Sequence, residues 1–351
     1  MSRSSSPYCG QQKCEGGRVK SMHAFDFCQP ESLPDALKLL KEMPKAHIIA
    51  GGTDLMVLIK DLLLKPSLLI SLAKLSDLVG IRTRKEGWAI GPMTPLWHLE
   101  RSDSLRLTYP ALHEAIRALA VPPIRNQATL GGNICLDTKC IYYNQSHVWE
   151  RNLPRCLKAG GTLCHVAPGR KRCMGALAAE TVGPLWIYGA ELTLTSGRGK
   201  RRMPLKAFYR GDGLNPHDLT AGEVVTSVVL PPPGNRFGAA YYRFAYRKAL
   251  EFSQFNLSAS IRLDDLGRID SANLVVGAIG PKPVELTESL SFLVGQTPSA
   301  ALWEEAAKRA GEAVARMARS PRLTGYIRAI FPVYAERLLS EAFTRAKSNG
   351  R

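Results

Sequence analysis

The residues of this sequence best suited to chemistry are its eight cysteines, which are unevenly spread. Five fall between Cys135 and Cys173, and none follows Cys173. Four of them have the spacing Cys140-x15-Cys156-x7-Cys164-x8-Cys173. Four thiolates suit a [4Fe–4S] cluster or a structural zinc ion, and clustered cysteines in a chain of this size favour metal or redox chemistry over disulfides. Thiols without any metal are the third alternative, since free cysteine is often buried.

The segment that carries these cysteines is basic. Residues 151–173 include six Arg or Lys and no Asp or Glu. A cluster held by four thiolates is anionic, so nearby positive charge stabilises it and raises its reduction potential. A solvated basic loop would have the same composition, and both descriptions can hold together.

Two glycine-rich turns form a second candidate site, at residues 50–54 (AGGTD) and 128–133 (ATLGGN). Glycine lets a backbone approach a ligand closely, and consecutive N–H groups can cradle a phosphate. Neither turn matches GxGxxG or GxxxxGK[ST], which disfavours a nicotinamide or a simple ATP site. No GxSxG, HExxH or paired-carboxylate motif is present, and we predict no catalytic side chain, as in a subunit whose cofactors perform the redox steps.

Alternating strands and helices must position the first turn. Apolar periodicity predicts a helix that is capped by Ser32 and ends at Pro44. Further helices are predicted at 54–64 and 111–120, the second ended by Pro122-Pro123, and strands at 47–50, 68–72, 185–195 and 224–230. The PPPG at 231–234 is the strongest domain boundary. Beyond it, three strand-like runs (240–247, 257–263 and 272–279) precede helical patterns at 299–318 and 324–346.

Composition limits the class of protein. A length of 351 residues allows two or three domains, and 45% hydrophobic with 22% charged residues is typical of a globular chain. No uninterrupted apolar stretch could span a membrane and no signal peptide is visible, so we expect a soluble, cytoplasmic protein. Residues 1–21 are polar and aperiodic, which predicts a disordered extension. The net charge of +17 would by itself favour nucleic-acid binding.

Four segments of the sequence resemble one known family. They are FDFCQPESLPDALKLL (25–40), AGGTDL (50–55), IRNQATLGGNI (124–134) and GAIGPKPVEL (277–286). They resemble the FAD-binding subunits of the molybdenum hydroxylase family, which includes xanthine dehydrogenase and carbon monoxide dehydrogenase. The resemblance implies an α+β fold with a p-cresol methylhydroxylase-type FAD-binding domain of two subdomains at residues 22–232. A C-terminal domain with a small antiparallel sheet and helices would follow at 233–351.

The cysteine segment resembles a narrower group. CLDTKCIYYNQS (135–146) and the three later cysteines are similar to the flavin subunits of the 4-hydroxybenzoyl-CoA reductases, in which an inserted loop, here 138–174, holds a [4Fe–4S] cluster. This similarity implies as cluster ligands Cys140, Cys156, Cys164 and Cys173. It leaves Cys135 outside the ligand set, and we expect His147 and His165 to lie beside the cluster rather than bind it.

The family resemblance also implies a set of FAD contacts. They comprise the first turn with its flanks, the second turn, one residue of the cysteine loop and two later residues: Ile48, Ile49, Ala50, Gly51, Gly52, Thr53, Asp54, Leu55, Thr129, Leu130, Gly131, Gly132, Asn133, Ile141, Glu180 and Lys248. Glu180 stands where the family has an Asp at the ribose side, and Leu250 and Phe252 stand where it has Arg. The binding of the cofactor is therefore expected to differ at these positions.

The implied function is electron transfer within a multi-subunit enzyme. Electrons from ferredoxin would pass through the [4Fe–4S] cluster and FAD to [2Fe–2S] centres in a small partner subunit and a molybdenum cofactor in a large one. The reaction would be the reductive dehydroxylation of 4-hydroxybenzoyl-CoA to benzoyl-CoA, in a dimer of heterotrimers. Part of the +17 would then steer an acidic ferredoxin, since residues 151–173 and 197–210 carry six basic side chains each.

Two alternatives stay open at this point. The first is the flavin subunit of another molybdenum hydroxylase, with an aromatic, aldehyde or purine substrate. The second is a basic nucleic-acid-binding protein with a four-cysteine zinc site. The electron-transfer function described above involves neither nucleic acid nor a membrane.

Overall fold

The computed structural model describes residues 22–145, 149, 152–317 and 323–350. The predicted extension, residues 1–21, lies outside these ranges. The strands are β1 Asp26–Cys28, β2 Ala46–Ile49, β3 Leu68–Ser71, β4 Ile81–Arg84, β5 Gly87–Ile90, β6 Glu191–Ser196, β7 Gly199–Pro204, β8 Val224–Leu230, β9 Phe237–Phe244, β10 Phe255–Leu263, β11 Ile269–Gly277 and β12 Val284–Glu285. The α-helices are α1 Leu33–Glu42, α2 Leu55–Lys60, α3 Leu96–Glu100, α4 Asp103–Thr108, α5 Pro110–Ala118, α6 Pro122–Gln127, α7 Leu130–Ile134, α8 Val182–Ile187, α9 Thr287–Leu290, α10 Ala300–Arg316 and α11 Gly325–Ser348.

A three-stranded parallel sheet with the order β1-β3-β2 carries the first glycine turn. Helix α1 crosses between β1 and β2, and the Ser32 hydroxyl accepts the Asp35 N–H at 3.3 Å, as the sequence predicts. The turn follows the carboxyl end of β2 directly and leads into α2. Open parallel sheets bind ligands at this edge, because the connections that leave it form a crevice.

A five-stranded antiparallel sheet with the order β4-β5-β8-β6-β7 carries the second turn through the helices packed on it. Helices α3 to α7 bury Leu96, Leu99, Leu105 and Leu112 completely in its core. The Tyr109 hydroxyl, also buried, donates to the Leu230 carbonyl oxygen at 3.1 Å and so joins these helices to the end of β8. Residues 130–133 of the second turn form the first part of α7, which Thr129 caps.

The cysteine loop leaves this part of the fold at one narrow point. Lys139 and Ala176 form an isolated antiparallel bridge with hydrogen bonds of 2.7 and 2.8 Å in the two directions. All four predicted ligand cysteines lie between these two residues. The loop is therefore an excursion with adjacent ends, so it does not alter the strand order on either side.

A four-stranded antiparallel sheet with the order β12-β11-β10-β9 forms the last part of the chain. Helix α11 packs across β9 and β10 and against α10, and these elements share one apolar core. The predicted α+β class and the small antiparallel sheet with helices are confirmed. The link between β8 and β9 contains the PPPG segment at 231–234, where we place the domain boundary.

Two local predictions are wrong. The predicted strand at 185–195 is helix α8 followed by β6, because a short buried apolar run has no periodicity that separates helix from strand. Pro122-Pro123 does not simply end a helix: it begins α6, where proline is favoured because its missing N–H is not needed. No helix within the described ranges is long and apolar enough to cross a membrane.

Candidate functional site

A cavity of about 490 Å³ is the first candidate site, and both glycine turns line it. This volume lies within the range of small-molecule and cofactor sites. The remaining wall is largely apolar and includes Leu58, Leu72, Leu119, Leu136 and Leu219. The hairpin after β9 adds the exposed side chains of Leu250 and Phe252. The cavity can therefore hold a molecule with a flat apolar part and a polar part at the turns.

The two turns touch each other through glycine. A Cβ placed on Gly51 would lie 1.8 Å from the Gln127 carbonyl oxygen, immediately before the second turn. A Cβ on Gly131 would lie 2.5 Å from Pro92 Cβ. Neither position admits a side chain, so glycine is what lets the backbone of both turns form one continuous wall.

The turns differ in the hydrogen-bond donors that they offer. Within the described part of the chain, the N–H groups of Gly51, Gly52 and Thr53 meet no acceptor. In the second turn, the Gly132 N–H already donates to Thr129 Oγ1 at 3.1 Å. The first turn thus has open donors for an anion, whereas the second contributes shape and close approach.

Five carboxylates line the cavity, and each is neutralised by a basic partner. The pairs are Asp54 with Lys139, Asp137 with Lys158 at 2.6 Å, Glu180 with Arg243 at 3.3 Å, Glu223 with Arg201 at 2.7 Å, and Glu251 with Arg247 at 3.8 Å. Unpaired carboxylates would repel a phosphate across a low-dielectric wall. Because these are paired, the cavity suits an anionic ligand despite its acidic lining.

Glu180 belongs to a buried network with the C-terminal sheet. It accepts hydrogen bonds from the Tyr241 hydroxyl, from Asn256 Nδ2 at 3.1 Å and from Arg243 Nε at 3.3 Å. Burial, with the charge of Glu180 and its hydrogen bond, raises the pKa of Tyr241 well above its usual value, so the hydroxyl stays a donor. Glu180 lines the cavity, but three protein donors already use its carboxylate, which reduces its capacity for a ribose.

Four predicted FAD contacts do not line this cavity. Ile49 alternates with Ile48 along β2 and faces the other way, and Leu130 is fully buried in the core. Ile141 is 55% exposed in the cysteine loop, and Lys248 is exposed at the tip of the hairpin after β9. The other predicted contacts lie together on the wall of the cavity.

A second, smaller cavity is lined by the four predicted cluster ligands, Cys140, Cys156, Cys164 and Cys173. None of the four forms a disulfide. No group of three or more His, Cys, Asp or Glu side chains in the described ranges is arranged to hold a metal ion. A zinc site needs its thiolates about 2.3 Å from one centre, whereas the thiolates of a cluster bind separate irons. Four thiols around one cavity are a donor set that fits either an iron–sulfur cluster or a zinc ion.

Several groups near these thiols favour the thiolate. Burial raises the pKa of Cys140, and the N–H groups of Tyr142 and Tyr143 oppose this; Tyr142 N–H donates to Cys140 Sγ at 3.4 Å. Burial raises the pKa of Cys173 to about 11, although the Gly175 N–H and the charge of Lys158 each lower it. Such N–H donors and cations stabilise sulfur that carries negative charge.

The two cavities share one strip of chain, residues 137–140. Asp137 lines the larger cavity and pairs with Lys158, which lines the smaller one. Lys139 pairs with Asp54 of the first turn, and Cys140 follows it directly. Sequence reasoning missed both pairs, and the only available signal was that each lysine lies within two residues of a predicted ligand cysteine.

The remaining predicted residues near the cysteines are placed as follows. His165 lines the smaller cavity, and its Nε2 donates a hydrogen bond to the Pro154 carbonyl oxygen at 2.7 Å. Cys135 lines the larger cavity instead, and burial raises its pKa to about 12. His147 lies outside the described residues.

Comparison with known proteins identifies the family. Residues 23–233 match the FAD binding domain in molybdopterin dehydrogenase, and residues 240–341 match the CO dehydrogenase flavoprotein C-terminal domain. The chain is 29% identical over 278 residues to the nicotinate dehydrogenase FAD-subunit of Eubacterium barkeri, covering 78% of this chain and 81% of that one. It is also 29% identical over 265 residues to the xanthine dehydrogenase FAD-binding subunit of Escherichia coli O157:H7, covering 74% and 77%.

The fold comparison agrees with the sequence comparison. Quinoline 2-oxidoreductase from Pseudomonas putida 86 has a similar chain with a TM-score of 0.73 at 22% identity, covering 94% of this chain and 100% of that one. At this identity the likeness shows the fold alone. Together with the two family matches, it shows that this chain belongs to the FAD-binding subunits of the molybdopterin dehydrogenases and is the flavoprotein subunit of an oxidoreductase.

Proposed function

We propose that this chain is the FAD- and [4Fe–4S]-containing electron-transfer subunit of a molybdenum enzyme related to the 4-hydroxybenzoyl-CoA reductases. FAD would occupy the larger cavity, held by the two turns and bordered by Glu180. The cluster would occupy the smaller cavity, with four ligands: Cys140, Cys156, Cys164 and Cys173.

The observation that carries this proposal is the gathering of these four cysteines around one cavity beside the flavin site. They come from separate parts of the loop, with 15, 7 and 8 residues between them, and one shared ligand would account for their position around a single cavity. Four thiols also suit a zinc ion, but the sequence intervals between them are longer than the CxxC pairs of most zinc sites, which favours a cluster. Zinc-dependent nucleic-acid binding also finds no support in the family to which the chain belongs.

When bound, the flavin and the cluster supply electron transfer, and the chain supplies position and electrostatics. The open N–H groups of Gly51, Gly52 and Thr53 would bind the pyrophosphate. The apolar wall would exclude water from the flavin ring, while the paired carboxylates prevent repulsion. At the cysteines, backbone N–H groups and Lys158 would stabilise the negative charge on sulfur.

The proposed partners are a large subunit with the molybdenum cofactor, a small subunit with [2Fe–2S] centres, and ferredoxin, in a cytoplasmic dimer of heterotrimers. Arg170, Lys171 and Arg172 are exposed directly before Cys173. An acidic electron donor would be attracted to this segment, so electron transfer is expected to slow as ionic strength rises. The substrate, 4-hydroxybenzoyl-CoA, would bind to the large subunit.

A second candidate function is the flavin subunit of another molybdenum hydroxylase. It is favoured by equal identity, 29%, to subunits named for nicotinate and for xanthine. The two candidates differ in the cluster, because a plain flavin subunit needs none of the four cysteines. They also differ in substrate, which the assembled complex would reveal when it is offered 4-hydroxybenzoyl-CoA, nicotinate and xanthine in turn.

The test is anaerobic purification of the chain with its partner subunits, separation of the subunits, and analysis of flavin, iron and zinc on this one. One flavin and about four irons per chain are expected, the content of one FAD and one [4Fe–4S] cluster. Flavin without iron, even after reconstitution, would leave only the second candidate. Zinc without flavin would refute both.

A matched pair of variants then tests the ligand assignment. Cys156→Ser should lose most of the iron and keep the flavin, whereas Cys135→Ser, at a thiol outside the smaller cavity, should keep the iron. Equal iron in the two variants would remove Cys156 from the ligand set.

A further inference from the structure

Lys158 is a buried cation at the wall of the cysteine cavity. Its side chain is only 8% exposed, and its Nζ donates to Asp137 Oδ1 at 2.6 Å, Thr138 Oγ1 at 2.8 Å and the Thr138 carbonyl oxygen at 3.1 Å. The ring of Tyr143 lies on another side, with its centroid 5.3 Å from Nζ. An ammonium is costly to bury without partners, and three acceptors fix this one in place.

The other basic residues of the loop that the structure describes are placed differently. Lys139 is also buried, but it pairs with Asp54 and does not line the cysteine cavity. Arg170, Lys171 and Arg172 are exposed, so water and salt screen their charges. Lys158 lines the cysteine cavity itself, together with all four thiols. Its charge therefore acts on the thiols through a medium of lower dielectric constant than that around the exposed cations.

We infer that Lys158, held by Asp137 and Thr138, is the fixed positive charge that sets the reduction potential of the proposed cluster. This inference rests on the proposed function. Reduction adds one electron to the cluster, and a nearby cation stabilises the more negative, reduced form. Asp137 has the opposite effect, since it balances part of the lysine charge from the side of the flavin cavity.

Two substitutions should therefore shift the potential in opposite directions. Lys158→Met removes the charge and should lower the equilibrium constant for reduction by at least about tenfold, which is 59 mV for a one-electron couple. Asp137→Asn leaves the ammonium without its counter-charge and should raise the potential. Lys171→Met makes the same charge change at an exposed position of the loop and is the matched control, and Lys158→Arg, which keeps the charge, should preserve the potential.

The experiment is an anaerobic redox titration of the purified complex, followed by electron paramagnetic resonance of the reduced cluster, with iron and flavin measured on each sample. A lowered potential in Lys158→Met with an unchanged one in Lys171→Met supports the inference. Equal potentials in those two variants overturn it, whatever the catalytic rate.

Cluster loss has its own outcomes. If Lys158→Met cannot hold iron, the reduction potential of Asp137→Asn becomes the test. A potential of Asp137→Asn at or below that of the wild type overturns the inference. Loss of iron from both would make Lys158 a structural anchor and would overturn it as well. Absence of iron from the wild-type chain would refute the proposed function itself, which distinguishes the two failures.

Discussion

Replacing Gly51 by alanine should separate the two glycine turns and weaken FAD binding. The added Cβ would lie 1.8 Å from the Gln127 carbonyl oxygen and 2.6 Å from its carbon. A carbon normally approaches a carbonyl oxygen to no closer than about 3.3 Å, so the turns must move apart by roughly 1.5 Å. The neighbouring atoms are backbone, and no side chain can rotate away to make room.

The magnitude follows from the cost of overpacking. One extra methyl group in a closely packed site costs about 1–3 kcal/mol. If the whole cost falls on the bound state, the dissociation constant for FAD rises roughly 5- to 150-fold, at 1.4 kcal/mol for each factor of ten. Gly197→Ala is the control, because nothing lies within 4 Å of its added Cβ.

The assay is a fluorescence titration of flavin-free protein with FAD, with thermal melting of the flavin-free variants alongside. Gly51→Ala should bind FAD more weakly than Gly197→Ala. An equal affinity for FAD in both variants would refute the argument that contact between the turns forms the cofactor site. A lower melting temperature with unchanged FAD affinity would mean that the contact serves stability alone.

Three further predictions concern stability and the independence of the two cavities. Lys139→Met should lower the free energy of unfolding in urea by about 2–4 kcal/mol, because it leaves Asp54 partly buried without its cation. Lys74→Met is the control, at an ion pair whose side chains are 50% and 73% exposed, and it should change the free energy by about 0–1 kcal/mol. Equal effects of the two substitutions would contradict the prediction. Burial lowers the pKa of His217 from 6.5 to about 4. Between these two pH values the unfolded chain binds a proton at this residue and the folded chain does not, so stability should fall as the pH drops from 6.5 to about 4. His217→Asn should show a smaller fall in urea unfolding over the same pH range. If the proposed cluster is present, removal of its iron with a chelator should leave the content of bound flavin unchanged, since the loop is closed by its own bridge at Lys139 and Ala176, and parallel loss of flavin would contradict this.

Much of the fold and of the lining of the larger cavity follows from local sequence. Ser32 caps α1 as its pattern requires, and β8 has the bounds that its apolar run predicts. The first turn lines the cavity, because a glycine turn after a parallel strand faces the edge of the sheet. Local patterns suffice where backbone geometry alone determines the outcome.

Long-range packing determines what the sequence could not predict. The predicted strand at 185–195 begins inside helix α8, in which a Cβ on Gly183 would lie 2.5 Å from Ser258 Oγ of β10. Glu180 meets Tyr241 and Asn256 from the C-terminal sheet, more than sixty residues away. No spacing rule predicts such partners, because pairing across strands depends on how the sheets are brought together.

The bridge between Lys139 and Ala176 has a consequence for protein engineering. A segment whose two ends already sit side by side can be exchanged without reopening the rest of the chain, because the entropy of closing a loop changes only slowly with its length. Residues 140–175 could thus be replaced by a short turn, or transplanted between matching strand ends of a related flavoprotein. The ends of the cysteine segment meet at one hydrogen-bonded pair, so an exchange of this segment would otherwise have to replace only its side contacts, such as those with Asp137, Asp212 and Gly213.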